Sequence, residues 1–374
     1  MQYPTTSQVA AANKSREHPT LRAIAPSTRH IPSLDGLRGI SFLLVFLSHA
    51  WGEIFPGGFG VTVFFFLSGF LITTLMRTEY ERNGHINLKH FWIRRALRIL
   101  PPFYLVLIVA TLWTVYAYPP GTLSFSATAA RALHYTNYWT IYRGEGGEPV
   151  GTTVYWSLAV EEHFYLLFPL LYIALQRLGA SPRRQALILW GLCGMTLLWR
   201  CVLVGLFDAS DIRIGRASDT RLDSILFGSA LAVWNNPVLD RFPLAEKLWK
   251  YALLPAALLV LVISMLVANT GYRETVRYSI QGVALTYVFI GVIRFHRWAP
   301  FRILNWPPLA FLGVLSYSLY LMHHAVIFAC RKLDPSLGKA GLGVLALAIC
   351  LALAWLMYVL VERPCAKLRR RLTD

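Results

Sequence analysis

The chain has 374 residues, of which 56% are hydrophobic and only 15% are charged. Soluble domains are about 45–50% apolar and about 25% charged, so this composition excludes a disordered chain and argues against a water-soluble globule. The formal net charge is +17, but the basic residues punctuate long apolar runs, which is typical of a polytopic membrane protein and not of a nucleic-acid-binding domain.

Residues 1–30 are polar and lack the apolar core of a secretory signal, so we predict a disordered cytoplasmic tail. The segment 124–142 is too polar and aromatic to count as a span, and we expect it to lie at the interface or to re-enter. The predicted fold is all-α, a polytopic membrane protein with about ten transmembrane helices of roughly 20 residues each. The predicted spans, two of them short, are 37–55, 58–76, 99–118, 154–176, 186–207, 221–235, 249–269, 278–293, 307–329 and 341–361.

Ten spans place both ends of the chain on the same side of the membrane. Lys and Arg are concentrated in the segments on the side of the N-terminus, so the positive-inside rule predicts cytoplasmic N- and C-termini. We predict one transmembrane domain over 31–364 and a basic cytoplasmic tail over 365–374. The cysteines lack CxxC spacing, and most lie in apolar runs, so we expect small hydrophobic residues and no metal site.

An ionisable side chain inside a span costs about 3 kcal/mol on insertion scales, so each one is a functional hypothesis. Arg38 and His49 lie in the first predicted span. Eleven residues of helix turn about 1100° and rise about 16 Å, which places both side chains on one face at different depths. The alternative, a snorkelling Arg and a packed His, does not account for this shared face.

A basic cluster precedes the third predicted span at Arg94, Arg95 and Arg98. Arg95 and Arg98 have i,i+3 spacing, so their guanidinium groups can converge on one phosphate. Ordinary basic residues that bind anionic lipid would give the same pattern, and the sequence alone leaves both interpretations open.

The fourth predicted span contains two carboxylates, Glu161 and Glu162, followed by His163. Ser157, Glu161 and Tyr165 share one helix face at i,i+4 spacing. Packing alone does not account for two carboxylates and a histidine at this depth.

Three later groups are weaker signals. Asp223, beside Arg221, is compatible with an ion pair at the interface. His323 and the adjacent His324 face different ways on a helix, which disfavours a metal site and leaves packing or a substrate wall. Glu362 opens Glu362-Arg363-Pro364, which is typical of a helix stop with a local ion pair.

Seven phrases in this order resemble the acyltransferase-3 family of integral membrane acyltransferases, from about Ile31 to Pro364. They are LDGLRGI with the Arg-x10-His spacing, GGFGVTVFFFLSGFLI, FWIRRALRILP, WSLAVEEHFYL, RLDSILFGSALA, SYSLYLMHH and VERP. Thr62, His163 and Met322 stand where family members often carry an acidic residue, Gln and Trp. We expect no exported esterase-like domain after the tenth span.

The resemblance implies transfer of an acyl group, typically acetyl, from an acyl-CoA co-substrate to a hydroxyl, with no bound cofactor. The implied partners are acyl-CoA, a cell-surface glycan, lipid-linked glycan or small hydroxylated acceptor, and membrane lipids, but no nucleic acid. The implied location is the bacterial cytoplasmic membrane. The expected catalytic residues are His49, Arg38 and Glu161, and the expected donor-binding residues are Arg95, Arg98 and Arg94. Supporting or acceptor-side positions are Asp35, Trp156, Glu162, Asp223, His323 and Glu362.

The sequence leaves the assignment of roles open. His49 can act as a general base or as a nucleophile that carries a transient acyl-imidazole. Arg38 or a backbone donor can stabilise the oxyanion, and Glu161 can orient the imidazole or bind sugar hydroxyls. The rival class is a transporter or flippase of a glycan, lipid or acyl group, which would not release free thiol from acyl-CoA.

Overall fold

The structure, a computed structural model, describes residues 32–52, 54–241, 245–336 and 338–373. The predicted tail over residues 1–30 lies outside these ranges. Within them the chain is helical and contains no strand. The helices are α1 (Pro32–Trp51), α2 (Gly57–Asn83), α3 (Leu88–Ala117), α4 (Phe125–Ala132), α5 (Thr136–Arg143), α6 (Trp156–Arg177), α7 (Pro182–Phe207), α8 (Asp211–Arg216), α9 (Ser218–Val233), α10 (Glu246–Leu266), α11 (Thr270–Glu274), α12 (Arg277–Arg294), α13 (Ala299–Arg302), α14 (Pro307–Leu333), α15 (Lys339–Met357) and α16 (Arg363–Thr373).

Each of the ten predicted spans falls on a helix, which confirms an all-α polytopic membrane protein. By length and composition, seven helical segments of the described chain can cross a bilayer, or eight if the bent pair α12 and α13 counts as one span. The count of ten is therefore approximate. Two predicted spans, α1 and α9, are not among these segments. α1 is less apolar because it carries Asp35 and Arg38, and α9 has only 16 residues.

The segment predicted to lie at the interface forms α4 and α5, two helices of 8 residues each. At about 1.5 Å per residue, neither is long enough to cross the hydrocarbon core of a bilayer. This agrees with the polar and aromatic composition that excluded the segment from the predicted spans.

Three close helix contacts organise the bundle. α14 packs along α1, and α9 packs against α2 and α7. Both α1–α14 and α2–α9 approach closely at glycines. A Cβ added at Gly313 of α14 would lie 1.8 Å from the carbonyl oxygen of Asp35, and one added at Gly228 of α9 would lie 2.0 Å from that of Phe66. Small residues let helix backbones approach in this way, as membrane helix interfaces require.

The two ends of the bundle are defined by the helices that begin or end there. One end of the bundle holds the C-terminus of α2, the N-terminus of α3 and the helix α16, and we call it the basic end. The opposite end holds the C-terminus of α1 and the N-terminus of α6, and we call it the far end. α16 follows α15 through a π-helical turn over Tyr358–Glu362 and packs against α3. The predicted basic tail is therefore helical through Thr373.

Candidate functional site

A large cavity lies between α1, α2, α3, α6, α14 and α16. Its volume is about 1310 Å³, which exceeds the roughly 300–1,000 Å³ of typical small-molecule sites. Nine basic and five acidic residues line it, so its wall carries an excess of positive charge that suits a polyanionic ligand. They are Arg38, Arg82, Arg94, Arg95, Arg98, Arg363, Lys367, Arg369 and Arg370, against Asp35, Glu79, Glu161, Glu162 and Glu362.

The mouth of the cavity lies at the basic end, where Arg98, Lys367 and Arg370 are exposed. The inner end is closed by the buried side chains of Ser157 and Tyr320. The hydroxyl oxygens of these two residues are 2.6 Å apart, and that of Tyr320 donates to the carbonyl oxygen of Val154 at 3.2 Å. A long ligand can therefore enter with its polar end at the mouth and its other end beside Tyr320.

The structure brings all three predicted donor-binding arginines to the cavity wall. Arg94 pairs with Glu79 at 2.7 Å, so its charge is partly neutralised. Arg95 lies over the ring of Tyr165, 5.4 Å from its centroid. Within the described residues neither Arg95 nor Arg98 forms an ion pair. These two guanidinium groups are therefore available to an anionic ligand.

Arg38 and Glu161 also line the cavity, and neither of them contacts His49. The Nε atom of Arg38 donates to the hydroxyl oxygen of Ser316 at 3.2 Å. The carboxylate of Glu161 accepts the hydroxyl hydrogen of Tyr165 at 2.8 Å and interacts electrostatically with Arg38. The structure thus does not join Glu161 to the imidazole of His49.

Three of the predicted supporting residues lie in the same cavity: Asp35, Glu162 and Glu362. Glu362 accepts the hydroxyl hydrogen of Ser318 and interacts electrostatically with Arg98 and Arg38. Glu362, which the sequence pattern places in a helix stop, therefore forms part of the cavity wall.

His49 lies beyond the inner end of the cavity, in a cluster of three histidines. Its Nδ1 atom is 2.9 Å from Nε2 of His323, and the two rings are stacked with centroids 5.1 Å apart. The ring of His324 is 4.6 Å from that of His49. The ring centroid of Tyr320 is 5.5 Å from that of His323, so this tyrosine connects the cavity to the histidine cluster.

The hydrogen bonds of His323 determine the tautomer of His49. Nδ1 of His323 is 2.8 Å from the carbonyl oxygen of Tyr320, and a carbonyl oxygen can only accept, so Nδ1 carries the proton. In the neutral ring, Nε2 of His323 is then an acceptor, and Nδ1 of His49 donates to it. This leaves the lone pair of His49 on Nε2, for which the described residues provide no hydrogen-bond partner.

Besides His323, two predicted supporting or acceptor-side residues, Trp156 and Asp223, lie outside the cavity. Trp156 packs edge-on against Phe65. Asp223 is fully buried and pairs with Arg200 of α7 at 2.6 Å, not with Arg221. Residues two apart on a helix do not face each other, which explains why the neighbouring arginine is not the partner.

Sequence reasoning missed Arg200, the cavity-lining residues of α16 and the contact between His49 and His323. Arg200 could have been found because it is an arginine within a predicted span. The cationic face of α16 could have been found from the i,i+4,i+7 spacing of Arg363, Lys367 and Arg370. No local signal joins His49 to His323, because they are 274 residues apart. Among the described residues, no group of three or more His, Cys, Asp or Glu could hold a metal ion.

Comparison with known proteins identifies the class of protein that this bundle and cavity represent. A family model described as an acyltransferase domain, Acyl_transf_3, matches residues 31–359. The chain therefore belongs to the acyltransferase-3 family, which confirms the resemblance carried by the motifs.

The similar curated proteins are O-acetyltransferases by name. The chain is 30% identical to peptidoglycan O-acetyltransferase OatA of Listeria monocytogenes, over 91% of this chain and 56% of that protein. It is 32% identical to a putative O-acetyltransferase of Staphylococcus aureus strain COL, over 80% of this chain and 51% of that protein. It is 29% identical to the putative peptidoglycan O-acetyltransferase YrhL of Bacillus subtilis, over 90% of this chain and 55% of that protein.

The chain spans about half the length of these curated relatives. No solved structure matches it.

Proposed function

We propose that this protein is a membrane O-acetyltransferase that moves an acetyl group from acetyl-CoA to a hydroxyl of a cell-surface glycan, with peptidoglycan as the first candidate. The observation that carries the proposal is that the cationic cavity ends at Tyr320, which contacts the histidine cluster. In this cluster Nε2 of His49 has no hydrogen-bond partner within the described residues. The names of the similar proteins support the acetyl group and the glycan.

The donor fits the cavity through its charge. CoA carries a 3′-phosphate and a diphosphate, which guanidinium groups bind through paired hydrogen bonds. Arg95 and Arg98 line the cavity, Arg98 is exposed at its mouth, and neither forms an ion pair within the described residues. The thioester then points toward Ser157 and Tyr320, because it lies at the opposite end of CoA from the phosphates.

His49 supplies the proton transfer. As general base, its Nε2 takes the proton of the acceptor hydroxyl while the hydroxyl oxygen bonds to the thioester carbon. The carbon–sulfur bond then breaks, and the leaving thiolate takes the proton from the imidazolium. His323 holds the ring in the required tautomer by accepting from Nδ1.

The same lone pair can instead act as a nucleophile. In that route the acetyl group passes first to Nε2 of His49 and then to the acceptor. The two routes differ in one observable, because only the second leaves an acetyl group on His49 when the donor is supplied without an acceptor. Mass spectrometry of the protein after rapid quenching distinguishes them.

The positions of the donor and acceptor follow from the two ends of the bundle. The basic end, with the mouth of the cavity, faces the cytoplasm in this proposal, in accordance with the positive-inside rule. His49 lies toward the far end, where an extracytoplasmic glycan can approach. The protein then resides in the bacterial cytoplasmic membrane with both termini inside.

Arg38 and Glu161 act in the donor cavity in this proposal, not at the histidine. Arg38 bonds to Ser316, seven residues or about 10 Å of helix before His323. An oxyanion donor must lie within about 3 Å of the reacting oxygen, so Arg38 does not meet a carbonyl that is held at His49.

Two measurements test the proposal. Purified protein in lipid nanodiscs should release free thiol from acetyl-CoA in the presence of glycan fragments. Mass spectrometry of cell-surface glycans should show the mass of an added acetyl group only when the protein is present. A transporter or flippase would move its cargo without releasing thiol, and that result would replace this proposal with the rival one.

A further inference from the structure

The C-terminal helix α16 forms part of the cavity wall. It packs against α3, the helix that carries Arg95 and Arg98. Arg363, Lys367 and Arg370 all line the cavity, and their i,i+4,i+7 spacing puts them along one helix face. The cavity therefore has cationic residues on two facing helices.

This arrangement brings like charges together. Arg95 interacts unfavourably with Arg98 on its own helix and with Arg369 on α16, and Glu162 of the cavity wall offsets part of this repulsion. Within the described residues, Arg363, Lys367 and Arg370 form no ion pair. A like-charged cluster costs free energy unless an anion lies between its members, so the two helices indicate a ligand with more than one phosphate group.

The position of α16 at the mouth determines which end of an acyl-CoA it can contact. Lys367 and Arg370 are exposed at the mouth, whereas Ser157 and Tyr320 are buried at the inner end. A CoA thioester that directs its reactive end inward leaves its nucleotide end at the mouth. The 3′-phosphate is the outermost group at that end.

We propose that α16 is the second wall of the donor site and that Lys367 and Arg370 bind the 3′-phosphate of the acyl-CoA. This inference rests on the proposed function and names the residues that recognise the nucleotide end of its donor. Arg95 and Arg98, on the facing helix α3, are left to bind the diphosphate.

The test compares two donors, acetyl-CoA and 3′-dephospho-acetyl-CoA, with purified protein in phosphatidylcholine nanodiscs. A hydrogen bond to a charged group contributes about 1.5–3 kcal/mol, so Lys367→Gln and Arg370→Glu should each raise KM for acetyl-CoA about tenfold or more. Turnover at saturation should stay unchanged, and KM for the dephospho donor should change little. Arg371→Glu is the matched control, because Arg371 is exposed on the same helix but does not line the cavity.

Other outcomes overturn the inference without overturning the proposed function. Equal losses with both donors would show that α16 does not recognise the 3′-phosphate. A loss that appears only when phosphatidylglycerol is added to the nanodiscs would assign the two cations to lipid headgroups. Unchanged KM values for Lys367→Gln and Arg370→Glu would remove α16 from the site. Failure of the wild-type protein to consume acetyl-CoA would instead contradict the proposed function itself.

Discussion

The close approach of α1 and α14 makes Gly313→Ala a sensitive test of how the site is positioned. Alanine favours a helix over glycine by about 1 kcal/mol, so local propensity alone predicts a more stable protein. The added Cβ, however, would lie 1.8 Å from the carbonyl oxygen of Asp35, whereas ordinary contact begins at 3.4 Å. The two helices would have to separate by about 1.5 Å, and such overpacking costs about 1–3 kcal/mol.

The separation would act where the two helices hold site residues together. Ser316 follows Gly313 by one turn, and its 3.2 Å hydrogen bond to Arg38 would break. A misplacement of about 1 Å can lower catalysis about 10²-fold. We therefore expect Gly313→Ala to lower acetyl-CoA turnover by at least about tenfold, with a melting temperature in detergent that is unchanged or lower.

Gly191→Ala is the matched control for this substitution. Gly191 lies on α7, and a Cβ added there meets nothing within 4 Å. Only the gain in helix propensity remains, so this variant should keep wild-type turnover and melt at the same or a slightly higher temperature. Wild-type turnover and stability in Gly313→Ala would refute the close packing of α1 and α14.

Two further substitutions test the cavity and the core. Glu161→Gln keeps a hydrogen-bond acceptor for Tyr165 but removes the negative charge, so turnover per folded protein should fall at least about tenfold; near-normal turnover would remove Glu161 from the site. Arg200→Met leaves the fully buried Asp223 unpaired, which should cost about 3–5 kcal/mol and lower the melting temperature. Arg213→Met, in a partly exposed pair, should cost about 1 kcal/mol or less, and equal effects of the two arginine substitutions would contradict the buried pair.

Much of the fold was predictable because the bilayer constrains it so strongly. Backbone polar groups in lipid must be satisfied within the helix, so long apolar runs predict helices directly. α1 and α9 show the limit of counting spans by hydropathy. Asp35 and Arg38 of α1 line the cavity, and α9 is buried along almost its whole length, including Arg221 and Asp223. Both helices therefore form although they carry charged residues.

The arrangement of the candidate residues was predictable where one helix carries the signal. Arg38 and His49 share a face of α1, and Arg95 and Arg98 share a turn of α3, as their spacing predicts. The partner of His49 was not predictable, because a contact between α1 and α14 depends on packing over most of the chain length. The partner of Asp223 was not predictable for the same reason, since Arg200 comes from another helix.

The most direct measurement of the central claim is thiol release from acetyl-CoA by His49→Gln in nanodiscs, with acetyl-CoA binding measured by calorimetry on the same preparation. Glutamine can still hydrogen-bond to His323 but cannot accept a proton at neutral pH. The proposed mechanism predicts a loss of turnover of at least about 10²-fold with unchanged binding, because the donor cations line a cavity that His49 does not enter. A His49→Gln protein that folds, binds acetyl-CoA and releases thiol at the wild-type rate would contradict the claim that His49 performs the proton transfer.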